Sequence, residues 1–336
     1  MKSMTKALLA GVIAAAASIP AYAATTLTLA HVDPVDWQTS KKGAAAKVFK
    51  ELVEAESAGR LKVNVYPSGQ LGGETDAIQS AQDGTLTMTM VSGAYARLCP
   101  EAGVLEIPYL FPSAPVAWSV LDGDFGKALG DQCLAKTGLR TLAYGETGFR
   151  NFTNSKRAVA EPKDLEGLKI RVMTNPLYVE MVKSMGGEPT PIAWPEVPAA
   201  LTTGVVDGQE NPVSVIYANK FYEMQKYLTL DGHVYGADFF LINDDIYSSL
   251  PAQDQAIIAR AAKVAALTGR AIQQINSAEG LTALAAKGMT ITTPTADQLA
   301  KFQQVAQPAV VKWLSEQVDP SWIERVQAAV DEAASK

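Results

Sequence analysis

One alanine-rich stretch, from Pro251 to Lys287, constrains the fold of this chain more than any other feature. Only Gly269 and Gly280 interrupt it, and a single glycine weakens a helix without ending it. At about 1.5 Å per residue, a helix over the whole stretch would be roughly 50 Å long. That length exceeds the diameter of a small domain, and the stretch lacks coiled-coil heptads. We therefore predict one long helix that runs across two domains and joins them.

Upstream of this stretch, strand-like and helix-like segments alternate along the chain. This order is typical of α/β domains in which helices cover parallel sheets. After residue 287 the sequence predicts two further helices, with a break near Pro308. The predicted strands are TLTLAHV, RLKVNVYP, TLTMTMV, LRTLAY and LKIRVM, and the predicted helices run from Thr39 or Ser40 to Ala55, over ETDAIQSAQDG, from Pro176 to Met185 and over 196–203.

The first residues have the organisation of a secretory signal peptide. Lys2 and Lys6 precede an apolar run over residues 7–19, and Ala21-Tyr22-Ala23 forms an A-x-A cleavage site. The alternative is a transmembrane anchor, but about 13 apolar residues are too few to cross a bilayer. We therefore predict export of the chain, with cleavage after Ala23.

The charge of the chain argues against nucleic acid as a partner. It has 29 basic and 35 acidic residues, and removal of Lys2 and Lys6 makes the net charge more negative than −6. Nucleic-acid-binding domains usually carry a basic surface. An anionic ligand would therefore need a local arrangement of cations. The length of 336 residues and the ample apolar content suit two domains.

The cysteines and histidines give no catalytic or metal-binding motif. Cys99 and Cys133 are too far apart for a CxxC motif, and they either form one disulfide or stay as two buried thiols. His31 and His233 have no cysteine or carboxylate at metal-ligand spacing. GxSxG, GxGxxG and Walker motifs do not occur in the sequence. We therefore predict no metal and no cofactor. The absence of motifs removes the familiar routes to catalysis without excluding an enzyme, and the prediction that the chain is not an enzyme follows from the family resemblance described below.

Arg171 stands at an unusual place in the predicted strand LKIRVM. The strand leads directly into a helix, with Asn175 as the expected N-cap and Pro176 at the first helical position. In open α/β sheets, ligands bind beyond the carboxyl ends of the strands. A guanidinium there offers a planar fork of donors that matches a carboxylate. The alternatives are a structural salt bridge or an arginine that extends to solvent at a sheet edge.

An ordered series of motifs resembles the solute-binding subunits of tripartite ATP-independent periplasmic (TRAP) transporters of the dicarboxylate type. The series comprises VYPSGQLGG, DGTLTMTM, GVLEIPYLF, LEGLKIRVMTNP, GGEPTPIAWPEV and LTTGVVDGQENPVSVIYANKFYEMQKYLTLDGH. The resemblance implies an α/β, two-domain periplasmic binding protein of the venus-flytrap type, with mixed and parallel sheets. Such a protein closes around a small organic acid and delivers it to a membrane permease of a small and a large subunit.

The same resemblance implies roles for individual residues. Arg171 would form a salt bridge with the ligand carboxylate, and Arg150, in TGFRNFTN, would contact the ligand as a second arginine. Asn211, in DGQENP, would donate its amide to the same carboxylate. Trp194, in TPIAWPEV, would pack on the carbon skeleton and influence which acid is accepted. Further candidates for the pocket are Trp37, Tyr95, Asn175 and Tyr235.

The domain organisation follows from this expectation and from the long helix. Domain I is predicted to comprise residues 24–148 and 237–276, and domain II residues 149–236 and 277–336, after a signal peptide over 1–23. The chain would cross between the domains three times and act as a monomer in the periplasm. The ligand class stays open among C4-dicarboxylates, 2-oxo acids, sugar acids and sulfonates. Alternative functions are a ligand-sensing component for a receptor and a secreted enzyme acting on an organic acid.

Overall fold

The structure is a computed structural model and describes residues 24–336. The predicted signal peptide lies outside the described residues. None of the helices in the described part of the chain is long and apolar enough to cross a membrane. The strands are β1 (Thr25–Ala30), β2 (Leu61–Tyr66), β3 (Met88–Val91), β4 (Leu139–Asn154), β5 (Lys169–Val172), β6 (Glu188–Pro191), β7 (Gly208–Asn211), β8 (Tyr227–Thr229), β9 (Val234–Asn243) and β10 (Thr290–Thr292).

Helices alternate with these strands, as the sequence predicts. Ser40 caps the first helix, where its hydroxyl accepts a hydrogen bond from the amide of Gly43 at 2.9 Å. The helices are α1 (Lys41–Glu56), α2 (Glu74–Gln82), α3 (Ala114–Asp122), α4 (Asp124–Thr137), α5 (Pro176–Ser184), α6 (Val197–Thr203), α7 (Val213–Ala218), α8 (Asp244–Ser249), α9 (Ala252–Ala286), α10 (Ala296–Ser315) and α11 (Ser321–Ala334).

The strands form two mainly parallel groups that an antiparallel pair joins. In the first group β1 runs parallel to β2 and β3, and in the second β5 runs parallel to β6 and β7. Between the groups, β9 pairs antiparallel with both β3 and β4, and β4 pairs antiparallel with β7. The strand order β2-β1-β3-β9-β4-β7-β5-β6 describes a mixed sheet, and with the surrounding helices it makes the fold α/β, as predicted.

The long strand β4 belongs to both groups. It pairs with β9 from Leu139 to Arg150 and with β7 from Asn151 to Asn154. The sequence predicts only the first six residues of this strand, LRTLAY, and does not predict β9, which is buried along its whole length. The change of partner after Arg150 lies close to the predicted boundary at residue 148, and the domain boundaries themselves stay a prediction.

The predicted long helix is confirmed as α9, with 35 residues. Its two internal glycines lie at close contacts with two other helices, α1 and α7. A Cβ on Gly269 would meet the carbonyl oxygen of Lys41 at 3.2 Å, and one on Gly280 would meet Val213 at 3.0 Å. The helix therefore packs against α1 at one place and α7 at another, because glycine at each contact lets the backbones approach.

The predicted break near Pro308 is wrong, because α10 continues through this residue to Ser315. A proline leaves the carbonyl four residues earlier without its helical hydrogen bond, here that of Gln304. Gln304 and Pro308 both lie on the exposed face of the helix. Phe302 and Val310, on the opposite face, are buried on either side of the proline. Tertiary packing against α5 and neighbouring elements thus outweighs the local effect of the proline.

Cys99 and Cys133 form a disulfide, which decides between the two alternatives left by the sequence. Cys99 immediately precedes the 3₁₀ turn Pro100–Glu106, and Cys133 lies in α4. Both are buried in the largest apolar cluster of the described chain. The bridge therefore fixes a segment without regular α or β structure to the helical layer.

Removal of this disulfide is expected to lower the free energy of unfolding. The two bridged cysteines are 34 residues apart in sequence. The loop-closure entropy that a disulfide removes from the unfolded chain at that length corresponds to about 4 kcal/mol. Urea unfolding of a Cys99→Ala, Cys133→Ala double variant measures this loss, and wild type with reductant should lose a similar amount. Unchanged unfolding midpoints in both samples would show that the bridge does not stabilise the fold.

Candidate ligand-binding cleft

A narrow cleft lies beyond the carboxyl ends of strands from both groups, where α/β proteins bind ligands. It encloses about 40 Å³, far less than the roughly 300–1,000 Å³ of typical ligand pockets. The cleft is lined by Val32, Asp33, Lys41, Lys42, Glu74, Ser92, Thr147, Arg150, Arg171, Met173, Trp194, Asn211 and Val215.

Arg171 lies in β5 and its guanidinium reaches the cleft, as predicted from its place near the strand end. Its Nε and Nη2 donate to the carbonyl oxygen of Ile192 at 3.0 and 2.7 Å. Its Nη1 makes no hydrogen bond to any residue of the described range. No carboxylate among residues 24–336 lies within 4.0 Å of this guanidinium, although only 3% of the residue is exposed.

The surroundings of Arg171 leave its charge largely uncompensated. Burial lowers the pKa of Arg171 to about 10, and the charge of Arg150 acts in the same direction, while the carboxylates of Glu210 and Glu74 oppose it. The guanidinium is still protonated at neutral pH. A buried charge is unfavourable unless an opposite charge and hydrogen bonds compensate it. The arrangement therefore favours an anion beside Arg171.

Arg150 is also buried, but an internal carboxylate already neutralises it. Its guanidinium donates to the Glu210 carboxylate through Nε and through Nη2, the latter at 2.8 Å, and Nη2 also donates to the Glu210 carbonyl at 2.7 Å. Burial raises the pKa of Glu210, but Arg150 and His233 outweigh this effect and hold it below its usual value. The ion pair thus fixes the orientation of Arg150 in the cleft wall.

His233 extends this ion pair into a buried chain of charges. Its Nε2 lies 3.3 Å from Glu210 and its Nδ1 lies 2.7 Å from Asp231. Burial lowers the pKa of His233, but Asp231 and Glu210 outweigh it and raise the pKa to about 9. The ring also stacks on Phe152, with centroids 4.4 Å apart. His233 does not line the cleft. It acts on Arg150 indirectly, through its contact with Glu210.

Asn211 lies at the end of β7 and lines the cleft next to the two arginines. One N–H of its amide donates to Gln209 Oε1 at 2.5 Å, and Gln209 in turn donates to Thr153 at 2.8 Å. These bonds fix the amide and leave its second N–H for a ligand oxygen. The position agrees with the predicted role, and the role itself stays a prediction.

Trp194 begins the 3₁₀ turn Trp194–Glu196 and lies between the cleft and the apolar interior. Its ring centre is 5.5 Å from the guanidinium carbon of Arg171 and 5.7 Å from the ring of Phe221. The indole therefore covers one side of the arginine while its other contacts belong to an apolar cluster. A ligand carboxylate bound by Arg171 would lie close to this aromatic surface.

Two predicted pocket aromatics do not line the cleft. Tyr95 is fully buried, and its hydroxyl lies 3.0 Å from that of Thr137. Tyr235 packs between Phe111 and Phe149, with ring centroids 5.5 and 5.4 Å away. Both side chains belong to the largest apolar cluster. Both residues are close in sequence to the family motifs. Their side chains nevertheless point into the core and not into the cleft.

Asn175 and Trp37 also lie outside the lining. Asn175 caps α5 by accepting from the Leu177 amide at 3.0 Å, as its N-cap position predicts. Its amide donates to the Gly93 carbonyl at 2.9 Å and to Glu106 at 2.8 Å. These bonds engage both ends of the side-chain amide. Trp37 is 48% exposed in the loop that precedes α1.

Four charged residues of the lining were not predicted from the sequence: Asp33, Lys41, Lys42 and Glu74. Lys41 Nζ lies 2.8 Å from Asp33, and Lys42 Nζ lies 2.9 Å from Glu74. One signal was available, because the two lysines occupy the first turn of α1, where the helix dipole disfavours cations. Lysines at such a place require carboxylate partners from elsewhere in the chain.

A larger groove of about 500 Å³ lies on the outer face between α3, α4, β4 and α9. Its arginines are already paired, since Arg140 contacts Asp244 at 2.6 Å and Arg270 contacts Asp122 at 2.6 Å. It therefore lacks the buried, unpaired cation that distinguishes the cleft. Within the described range, no group of three or more His, Cys, Asp or Glu side chains has the geometry to hold a metal ion.

Comparisons with known proteins agree with this geometry. A "Solute-binding protein" of Verminephrobacter eiseniae is 42% identical over 275 residues, which cover 82% of this chain and 81% of that protein. The sugar acid binding protein DctPAm of Advenella mimigardefordensis, solved with galactonate, has a TM-score of 0.88 at 33% identity and covers 92% of this chain and 99% of its own. A TRAP periplasmic solute binding protein of Polaromonas sp. JS666, bound to D-erythronate, has a TM-score of 0.85 at 35% identity, with 90% and 98% covered.

The family model described as "Bacterial extracellular solute-binding protein, family 7", DctP, matches residues 34–317. This range contains every residue that lines the cleft except Val32 and Asp33. The resemblance drawn from the sequence motifs is thus confirmed, and this chain belongs to the DctP family of TRAP solute-binding proteins.

Proposed function

We propose that this protein captures a small organic acid in the cleft around Arg171 and delivers it to a TRAP membrane permease. The observation that carries the proposal is the buried guanidinium of Arg171, which has no carboxylate within 4.0 Å among residues 24–336. A ligand carboxylate supplies the missing negative charge. The galactonate and D-erythronate bound by the two structural neighbours are carboxylates and support this proposal.

In this proposal, several side chains of the cleft donate hydrogen bonds to one carboxylate of the ligand. Arg171 offers Nη1, and Asn211 offers its second N–H, while the Arg150–Glu210 pair keeps Arg150 in place. Hydrogen bonds to charged groups contribute about 1.5–3 kcal/mol each. None of these three side chains is a ready nucleophile or general base. The cleft is therefore proposed to bind its ligand without chemical change.

The two walls of the cleft already touch in this structure, which fits closure on a ligand. The hydroxyls of Thr75 and Thr174 lie 3.2 Å apart across the cleft. A Cβ on Gly69 would meet Pro195 at 3.2 Å, so this glycine lets the two loops approach. Opening would bend the crossing segments β4, β9 and α9, since hinge motions concentrate at a few residues of such segments.

To deliver a ligand to a permease, the protein must be in the periplasm and must contact a membrane partner. We propose export by the signal peptide, cleavage after Ala23, and docking of the closed form on a permease of a small and a large subunit. Family membership supports this proposal. A single copy of the chain, as expected from the sequence, is sufficient for capture because both cleft walls come from one chain.

Replacement of Arg171 tests the proposal directly. We expect Arg171→Ala to weaken binding of an acid identified by thermal-shift screening by more than tenfold, because the cleft loses its unpaired cation. Arg171→Lys should also weaken it more than tenfold, since lysine keeps the charge but loses the planar fork. Calorimetry measures the affinity. Arg140→Ala, in the outer groove, is the matched control, and an Arg171→Ala variant with unchanged affinity would refute the assignment.

The two arginines should differ in their effect on stability. Arg150→Ala leaves Glu210 buried without its cation, and breaking a buried ion pair in this way costs about 3–5 kcal/mol. Arg171→Ala leaves no carboxylate without its partner, so it should lower the free energy of unfolding by at most about 1 kcal/mol. Urea unfolding of the ligand-free variants measures both. Equal losses of unfolding free energy in the two variants would show that Arg171 stabilises the fold as much as Arg150 does.

Trp194 is expected to determine which acid binds best. If it acts as a wall of the cleft, Trp194→Ala should keep near-native stability and change the ranking among acids of different length. If it mainly fills the interior beside Phe221, the variant should lose about 3–5 kcal/mol of stability and keep the ranking. Calorimetry with a series of acids, together with urea unfolding, separates these results, and the second would remove Trp194 from the site.

A further inference from the structure

The cleft wall that faces Arg171 carries two carboxylates, Asp33 and Glu74, with unused hydrogen-bonding capacity. Glu74 Oε1 accepts from Lys42 Nζ and from the Ser92 amide, both at 2.9 Å. The Ser92 hydroxyl lies 3.1 Å from Oε1 and 2.9 Å from Oε2 and has one proton to donate. Glu74 Oε2 therefore receives at most one hydrogen bond and keeps a lone pair for another donor.

Asp33 has the same property. Its Oδ2 accepts from Lys41 Nζ at 2.8 Å, whereas its Oδ1 lies 3.9 Å from Lys42 Nζ, which is too long for a hydrogen bond. Burial raises the pKa of Asp33, but Lys41 and Lys42 outweigh this effect and hold it well below its usual range. The carboxyl is thus ionised at neutral pH and can only accept hydrogen bonds.

The charges of this wall do not favour a second anion. Lys41 and Lys42 face three carboxylates, those of Asp33, Glu74 and Asp238, at distances of 2.8 to 3.9 Å. Asp238 does not line the cleft, but the two ammonium groups are almost completely buried and each is already paired with a carboxylate of the wall. The cleft is therefore polarised, with an unpaired cation at Arg171 and carboxylate acceptors on the opposite wall.

We propose that the acid bound here carries a single carboxylate and several hydroxyl groups, and that Glu74 and Asp33 accept hydrogen bonds from those hydroxyls. This inference rests on the proposed function of the same cleft. A second carboxylate on the ligand would meet Glu74 and Asp33 at close range, and like charges brought together select against such a ligand. An unsubstituted chain would instead leave one oxygen of each carboxylate without the further donor that a hydroxyl supplies, which a site of this kind also disfavours.

The proposed ligand class can be tested with acids that have the same number of carbon atoms but differ in their hydroxyl and carboxylate groups. The mature protein is titrated by calorimetry with D-erythronate, succinate and butyrate, and with D-gluconate, adipate and hexanoate. At least one of the two hydroxy acids should bind, and it should bind about a hundredfold more tightly than the diacid and the alkanoate of its length. A diacid or alkanoate that binds as tightly would overturn this inference and leave the proposed function standing. Absence of binding by all six acids would also overturn this inference, while the Arg171 variants, titrated with the acid found by thermal-shift screening, still decide the proposed function.

Variants then assign the selectivity to the wall. Glu74→Gln should weaken binding of the hydroxy acid at least about tenfold and narrow its advantage over the diacid, because a negative charge leaves the wall. Asp33→Asn is the second variant, should Glu74→Gln fail to fold. Asp238→Asn is the matched control, since it removes a carboxylate from the same lysines, at 3.7 and 3.3 Å, without lining the cleft. An unchanged ranking in both wall variants, or an equal change in the control, would overturn the inference.

Discussion

The positive charge of Arg171 is buried without a carboxylate nearby among residues 24–336, and the rest of the cleft is arranged around this imbalance. Its position is fixed by two hydrogen bonds to the Ile192 carbonyl and by the indole of Trp194. Neighbouring Arg150 does not share the imbalance, because Glu210 neutralises it. One arginine thus provides the charge and the other provides a fixed wall. In the proposed function, a ligand carboxylate neutralises Arg171 and leaves the Arg150–Glu210 pair unchanged.

The scaffold links this charge to the opposite wall through a few crossing segments. Strand β4 changes partner after Arg150, so one wall of the cleft lies where the two strand groups join. The helix α9 packs on α1 through Gly269 and on α7 through Gly280. A small change of angle at these segments therefore changes the separation between Arg171 and the carboxylates of the facing wall. The proposed capture of the ligand would therefore depend on the same elements that join the two strand groups.

Local signals in the sequence predicted much of the fold. The alanine-rich stretch gave α9, and the capping residues Ser40 and Asn175 marked the starts of α1 and α5. The prediction failed where tertiary packing decides. Pro308 does not end α10, because Phe302 and Val310 continue a buried stripe past it. Strand β9 was missed because it is buried throughout and has no alternation of polar and apolar residues.

The candidate site divides in the same way. Motifs indicated Arg171, Arg150, Asn211 and Trp194, and the structure brings all four to one cleft. The facing wall could not be predicted, because its ion pairs join residues far apart in sequence, as with Lys42 and Glu74. Such pairs form only after β1, α1 and α2 have assembled. Family motifs therefore report the part of the site that is proposed to bind the carboxylate shared by many acids. The wall that is proposed to distinguish one acid from another is held by contacts between distant residues, and these appear only in the folded chain.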